Sequence, residues 1–374
     1  MAVPAQSKYS AWPGEAAKEY KLSRRNPTYL DQATGFSRAA QSTDHLLQFI
    51  QAPLHFCIFV QTTMSPSLIA RLTDKQLIAE ARVVAKGYCY SIPISSRMLQ
   101  DQGMFSKTTC VTLEDGTEVI IQFKDNEIDT TKVALARGFL GDIVPFTFAA
   151  KTTKAHFVYV SDLIKGIMWS DCDCTVEQNC HIASQLGDML LRCSVNSDST
   201  GVVDFFVIPR LKRIVLKENV PHAPLREKMQ ELLAQCDTLK LLPLALCHID
   251  LNARNILLDE DRDVIGIVDW EQAAMLPLGS NAWCIRYLSV DIVRGEDIIS
   301  EKSLPMAEAF WKSFLAKLPN NVFSHQRAII TAMQVGLILS TFFGGGSPNE
   351  DKQVQIFDRM TWLEKTFAPM CTVV

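Results

Sequence analysis

The sequence predicts an α+β chain in two lobes, with a small antiparallel-sheet N-lobe followed by a mainly helical C-lobe. Three observations predict it. Met104 to Leu113 and Glu118-Val-Ile-Ile-Gln-Phe-Lys124 are strand-like runs, separated by the hairpin pair Asp115-Gly116. Beyond Gly166 the apolar residues recur at helical spacing. The 374 residues, 48% of them hydrophobic, are too many for one small domain and enough for a sizeable core.

The elements follow in chain order. Residues 1–72 form an N-terminal extension, read as partly helical around 44–60, with Trp12-Pro13-Gly14 and a basic Lys21-Leu-Ser-Arg-Arg25 but no visible chemistry. Residues 73–160 form the N-lobe. Thr73-Asp74 is a helix start, and Leu77, Ile78 and the Ala81–Val84 side make an apolar stripe to about Ala85. The strand-turn-strand text comes next, then a helix at roughly 130–140 and a strand over Ala155–Val160. Residues 161–374 form the helical C-lobe. Ile182, Leu186, Met189 and Leu190 share one helix face, as do Met229, Leu232 and Leu233. Helices at about 305–317, 326–340 and 353–366 close the chain. Gly344-Gly-Gly-Ser-Pro348 lacks the Lys-Ser/Thr of a phosphate loop and reads as a turn.

Composition removes several classes. With 37 Lys plus Arg against 41 Asp plus Glu, a net charge of −4 and no basic run long enough for a binding arm, nothing points to nucleic acid. The 11 cysteines are scattered and odd in number, the start MAVPAQSKYSAWPGE has no signal-peptide pattern, and Asn26-Pro27-Thr28 is spoiled as a glycosylation site by its proline. These features fit a reducing, cytoplasmic setting. The apolar stretch Leu46–Val60 is broken by Gln48, Gln51, Pro53 and His55, and falls short of the roughly 20 residues of a membrane span.

The densest passage runs from Leu246-Cys-His248-Ile-Asp250 through Asn255 to Val268-Asp269-Trp270-Glu271. It reads as a loop with His-x-Asp-x-x-x-x-Asn spacing, a short strand, a charged turn, a second strand and an acidic residue at its end. The hairpin folds Asp269 back toward Asp250 and Asn255. Two carboxylates and an amide oxygen are the hard oxygen ligands and the base that Mg²⁺-dependent phosphoryl transfer needs. Asp259, Glu260, Asp261 and Asp263 read as a solvated turn. Cys172-x-Cys174 with Cys180-His181 fits no strong zinc spacing, and Cys247 reads as a buried thiol beside His248.

This passage resembles the catalytic and metal-binding loops of the aminoglycoside phosphotransferase-like kinases, relatives of choline kinase within the protein-kinase-like fold. It is especially similar to their fungal branch, which continues from Asp-Trp into Leu-Pro-x-Gly as Leu276-Pro-Leu-Gly279 does. Upstream, Gln102-Gly103-Met-Phe-Ser106-Lys107 resembles the phosphate-covering loop, Val119–Lys124 the strand bearing the ATP lysine, and Ser161-Asp-Leu163-Ile-Lys-Gly166 the adenine-pairing hinge. The resemblance covers roughly residues 73–345. It implies ATP and Mg²⁺ as cofactors, with the N-lobe sheet binding ATP and a small-molecule hydroxyl as acceptor. By the same resemblance Asp250 is the catalytic base, His248 braces its loop, and Asn255 and Asp269 hold Mg²⁺. Lys124 contacts the α- and β-phosphates, backbone N–H groups near Gly103–Ser106 cover them, and Ser161 and Leu163 lie at the adenine. Trp270 stands at the family's apolar anchor, where plain core packing would also place a tryptophan.

Departures from the family pattern are visible. The phosphate-covering loop has one glycine, Gly103, and Ile249 replaces the usual glycine between His and Asp. The helix glutamate that pairs with the ATP lysine should fall near Thr131 or Lys132, and the nearest acids are Glu127 and Asp129. That absence supports an alternative reading, a catalytically weak or inactive kinase-like protein that binds nucleotide, or binds a protein partner through residues 1–72. A protein substrate is disfavoured, because Ile249 stands where protein kinases carry arginine and no Ala-Pro-Glu follows Asp269. Asp291, Glu296 and Asp297 are a loose acidic grouping that a polycationic acceptor would need.

Overall fold

The computed structural model describes residues 69–100, 102–103, 106–151, 156–216, 220–342 and 348–369. The expected helices at 44–60, the residues 104–105 and 155 of the two strand readings, and most of the 344–348 turn lie outside them.

The first helix, α1 (Asp74–Tyr88), starts where the Thr73-Asp74 pair predicts. The Gln76 N–H donates to Thr73 Oγ1 at 3.3 Å, while the Thr73 N–H donates back to Gln76 Oε1 at 2.8 Å, a reciprocal cap. Leu77, Ala81, Val84 and Ala85 form its buried stripe. They pack on a five-stranded antiparallel sheet built from β1 (Pro93–Met98), β2 (Ser106–Leu113), β3 (Glu118–Lys124), β4 (Thr147–Ala150) and β5 (Phe157–Asp162), in the order β1-β2-β3-β5-β4. The predicted hairpin turn lies between β2 and β3. Gly116 there has φ +81°, and Asp115 Oδ1 accepts the Thr117 N–H at 2.9 Å.

The alternation of strand side chains gives this sheet two faces. Val111, Val119, Ile121, Phe123, Val158 and Val160 lie in the core under α1. Residues of the other parity, including Ser106, Lys124, Tyr159 and Ser161, belong to the opposite face. Helix α2 (Thr130–Leu140) is capped by Asp129, whose Oδ1 accepts the Thr131 N–H at 3.0 Å, and ends at Gly141 with φ +75°.

The remainder of the chain is mainly helical, with small sheets that carry loops. Strand β6 (Ile167–Met168) leads to α3 (Val176–Arg192), which buries the predicted Ile182, Leu186, Met189 and Leu190. Strand β7 (Ser194–Asp198) follows. A helical run with one π turn at Val203–Val207 continues into α4 (Ile208–Leu216), and α5 (Ala223–Gln235) comes next. Strands β8 (Pro243–Cys247), β9 (Ile256–Leu258), β10 (Val264–Ile267) and β11 (Ala274–Pro277) then form two sheets, ordered β10-β9-β6 and β11-β8-β7. Helices α6 (Ser303–Ala316), α7 (Gln326–Thr341) and α8 (Glu350–Phe367) close the core around Phe310, Trp311, Phe314 and Phe367. Among the described residues no helix is long and apolar enough to cross a membrane.

Two glycines set how closely this core packs. A Cβ on Gly187 of α3 would lie 2.5 Å from the Phe310 carbonyl of α6. On Gly336 of α7 it would overlap the Ser280 carbonyl, just past Gly279, which itself turns the chain with φ +93°. Backbone cannot yield there as a side-chain tip could. Gly336→Ala is therefore expected to destabilise the protein by about 1–3 kcal/mol, read as a lower denaturation midpoint, whereas Gly201→Ala, with open space at its Cβ, should change little.

Candidate active site

The site begins where β8 ends. Cys247 opposes Ala274 of β11 and is fully buried, and burial pushes its thiol far up, so it is a core group and not a nucleophile. His248 is 1% exposed. Its Nε2 lies 2.8 Å from the Val268 carbonyl, and because that oxygen can only accept, Nε2 carries the proton. Burial lowers the imidazole pKa, against the opposing pull of that carbonyl and of Asp269 and Asp250. The ring also meets Trp270 edge-to-face with centroids 4.7 Å apart, and the Trp270 Nε1–H donates to the Ile267 carbonyl at 2.9 Å. His248 and Trp270 thus tie the loop after β8 to the end of β10.

Asp250 is exposed at the tip of this loop. Asn252 Nδ2 donates both to Asp250 Oδ1 and to its backbone carbonyl, each at 3.1 Å. Asn255 Nδ2 donates to the same carbonyl at 2.8 Å. With its NH₂ committed, Asn255 presents Oδ1, which takes no donor among the described residues. The β9–β10 ladder pairs Ile256 with Ile267 and continues one rung further, where the Val268 N–H donates to the Asn255 carbonyl at 2.9 Å. Asn255 is thereby set beside the residue that precedes Asp269. Asp269 sits in the left-handed region, φ 66° and ψ 47°, and is exposed. An aspartate accepts that conformation more readily than a bulky residue does.

Among the described residues no group of three or more His, Cys, Asp or Glu side chains could hold a metal ion. A carboxylate and an amide oxygen nevertheless suit Mg²⁺, which takes few protein ligands and completes its shell with water and phosphate oxygens. The Cys172/Cys174/Cys180/His181 grouping is used otherwise. Arg262 approaches Cys172 Sγ at 3.6 Å, and His181 Nε2 lies 2.7 Å from Asp263 Oδ1, which Gln185 also reaches at 2.5 Å. Asp263 therefore anchors the β9–β10 turn to α3, beyond the solvated role its sequence predicts.

On the sheet, Ser106 and Lys124 are cross-strand partners at the mouth of the β1–β2 connection. Gln102 pins that connection: its Nε2 donates to the Leu99 and Thr108 carbonyls at 2.6 and 3.0 Å, and its Oε1 accepts the Thr108 N–H at 2.7 Å. Gly103 approaches so closely that a Cβ would lie 2.5 Å from Ser106 Oγ. Ser161 is buried within β5, paired with Ile120 and Thr147, and its hydroxyl lies 2.8 Å from that of Thr147. Leu163 is the half-buried second residue past Ser161, outside the ladder.

The residue missed at the sequence level is Glu271. Lys124, 6% exposed, forms a short ion pair with Glu271 Oε2, whose side chain is 17% exposed. Burial raises the Glu271 carboxyl pKa, as does the Asp269 charge, while Lys124 pulls it back. The signal was present as the acid that follows Asp269-Trp270. Nothing local distinguishes it from a solvated acid.

The arrangement is a sheet whose buried lysine is ion-paired to the turn after β10, beside a hydrogen-bonded loop that exposes Asp250. Its overall architecture is shared with solved structures. The ethanolamine kinase of Plasmodium vivax superposes with a TM-score of 0.52 at 13% identity, over 84% of this chain and 99% of that one. A thermostable mutant of aminoglycoside phosphotransferase APH(4)-Ia, in ternary complex with AMP-PNP and hygromycin B, superposes with a TM-score of 0.51 at 14% identity, over 79% of this chain and 99% of that one. The fold is the two-lobed, protein-kinase-like α+β fold. Residues 206–291, which include the segment from His248 to Asp269, match the model of the phosphotransferase enzyme family. No curated protein matches the sequence.

Proposed function

We propose that this chain is an ATP- and Mg²⁺-dependent phosphotransferase acting on a hydroxyl of a small molecule. The observation that carries the reading is the single hydrogen-bonded unit in which His248, Val268, Asn252 and Asn255 hold the loop bearing Asp250 against the end of β10, where Asp269 follows. Asp250 is the base: Asn252 fixes Oδ1, and the carboxylate, exposed at the loop tip, takes the acceptor's hydroxyl proton. Asn255 Oδ1 and Asp269 would hold Mg²⁺, which when bound neutralises charge on the transferring phosphates. Lys124 binds the α- and β-phosphates, backbone N–H groups near Gly103 and Ser106 cover them, and the chain at Ser161 and Leu163 meets adenine. His248, kept neutral by burial, braces the loop and carries no proton in the reaction.

The alternative reading, a weak or inactive kinase-like protein that binds nucleotide, or a partner through residues 1–72, is motivated by the missing helix glutamate, and Lys124 is ion-paired to Glu271 instead. A small acceptor is favoured by Ile249 and by the absence of Ala-Pro-Glu after Asp269. Its charge is constrained too. Asp291 pairs with Lys302 at 2.6 Å, and Asp297 is held by Arg286 at 3.2 Å and Arg359 at 2.7 Å. That acidic grouping is neutralised from within and offers a polycation little. The fungal-branch placement rests on Leu276-Pro-Leu-Gly279. The protein is read as cytoplasmic and without nucleic-acid partners, and residues 1–72 are where a protein partner would attach. The test is an ATP-consumption screen over hydroxylated metabolites with mass detection of a phosphate adduct. A phosphorylated product formed one-for-one with ADP is expected, and ADP release without any adduct across such a library would contradict the reading.

A further inference from the structure

We propose that Glu271 is the residue that positions Lys124 on the nucleotide phosphates, a role for which helix α2 supplies no acid. The inference rests on the proposed reading of Lys124 as the phosphate-binding lysine.

Four observations lead to it. A lysine as buried as Lys124 needs a carboxylate partner. The helix packed nearby, Thr130–Leu140, reads TTKVALARGFL and contains no carboxylate. The acids just before it are unsuited, since Asp129 is engaged by the Thr131 N–H as the helix cap and Glu127 is exposed. Glu271 comes instead from the 3₁₀ turn Trp270–Gln272, which packs against α2, and its Oε2 meets Lys124 Nζ.

That turn is well seated. Trp270 is 2% exposed, bonded to the Ile267 carbonyl and packed on His248. Glu271 therefore stands on a fixed support, two residues past Asp269. One short segment carries the proposed metal carboxylate and the carboxylate that sets the lysine. In this chain the sheet and the turn after Asp269 are linked directly through the Lys124–Glu271 pair, with no carboxylate of α2 between them. A free lysine of this length samples many rotamers, and an ion pair at its tip selects one before the phosphates arrive.

The test must separate a lysine-positioning role from a structural one and from an effect on the metal. Binding of ADP in EDTA and binding of adenosine are measured by calorimetry or ligand-observed NMR for wild type, Glu271→Gln, Lys124→Ala and the double variant. Glu271→Gln is expected to weaken metal-free ADP by about tenfold and to leave adenosine within about twofold of wild type. In the Lys124→Ala background the same change should cost ADP no further affinity. If Glu271→Gln unfolds the protein, Glu271→Asp, which keeps the charge and shortens the reach, should show the same selective loss of ADP.

Unchanged or tighter ADP binding would overturn the proposal, and tighter binding would mean that Glu271 competes with the phosphates for Lys124. An equal loss for adenosine and ADP would make the pair merely structural. A loss seen only when Mg²⁺ is added would assign Glu271 to the metal instead. Wild-type protein that binds neither ligand would overturn the nucleotide reading itself, whereas binding that is indifferent to Glu271 overturns only the present assignment.

Discussion

Asp250→Asn is expected to keep nucleotide affinity while turnover falls by about 10²–10⁴-fold. The substitution removes the proton acceptor and little else. The contacts that shape the loop run through the Asp250 main chain, whose carbonyl receives Asn252 Nδ2 at 3.1 Å and Asn255 Nδ2 at 2.8 Å. Asn255 would therefore stay where it is, and so would the ladder bond from Val268 that seats the strand before Asp269. A Mg-ATP titration beside a single-turnover assay on the acceptor found by screening reads both quantities. Loss of nucleotide binding in this variant would move Asp250 into the metal site. No change in turnover would remove this loop from the chemistry.

Asp269→Asn is expected to behave differently, with Mg-ATP affinity falling by at least about tenfold together with turnover. Asparagine is the informative replacement at this position. Asp269 has φ 66°, a conformation that asparagine adopts as readily as aspartate and alanine does not, so the loop should survive and only the charge is lost. Binding of ADP in EDTA should be nearly unaffected, because no metal is then held. A variant that binds Mg-ATP like wild type would show that Asp269 is not a metal ligand. Asp250→Asn and Asp269→Asn together distinguish base from ligand, because turnover falls in both and Mg-ATP affinity only in the second.

Much of the fold was legible because its signals are local. The Thr73 cap, the Asp115-Gly116 turn and the run Glu118–Lys124 each state their structure within a few residues, and they appear as α1, the β2–β3 turn and β3. Strands β1 and β4 were not legible. Both are sheet edges, and β1, Pro-Ile-Ser-Ser-Arg-Met, buries only its first residue, so it shows no alternation. Strands β8 and β11 are short apolar runs that declare themselves only by pairing with one another.

The site divides in the same way. Asp250, Asn255 and Asp269 are close in sequence, and a hairpin between them is enough to bring them together. Ser106 meets Lys124 for the same reason, across one turn. Glu271 lies 147 residues from the lysine it pairs with, and only the packing of the 3₁₀ turn beneath α2 joins them. Helix α2 carries no carboxylate, as its sequence shows, and the acid paired with Lys124 comes from a different element. Asp263 shows a milder form of this effect: an acid in a charged turn becomes an anchor because His181 and Gln185 of α3 lie above it.

The central claim, a Mg-nucleotide site built from Lys124 on the sheet, Asn255 before β9 and Asp269 after β10, is tested most directly by the heat stability of the whole chain with and without Mg-ATP. A ligand present at a hundred times its Kd adds about 2.7 kcal/mol of stability, so millimolar Mg-ATP should raise the unfolding temperature, whereas MgCl₂ alone, lacking the phosphates that complete the metal's shell, should not. An unfolding temperature that is the same in buffer, in MgCl₂ and in millimolar Mg-ATP would contradict the account.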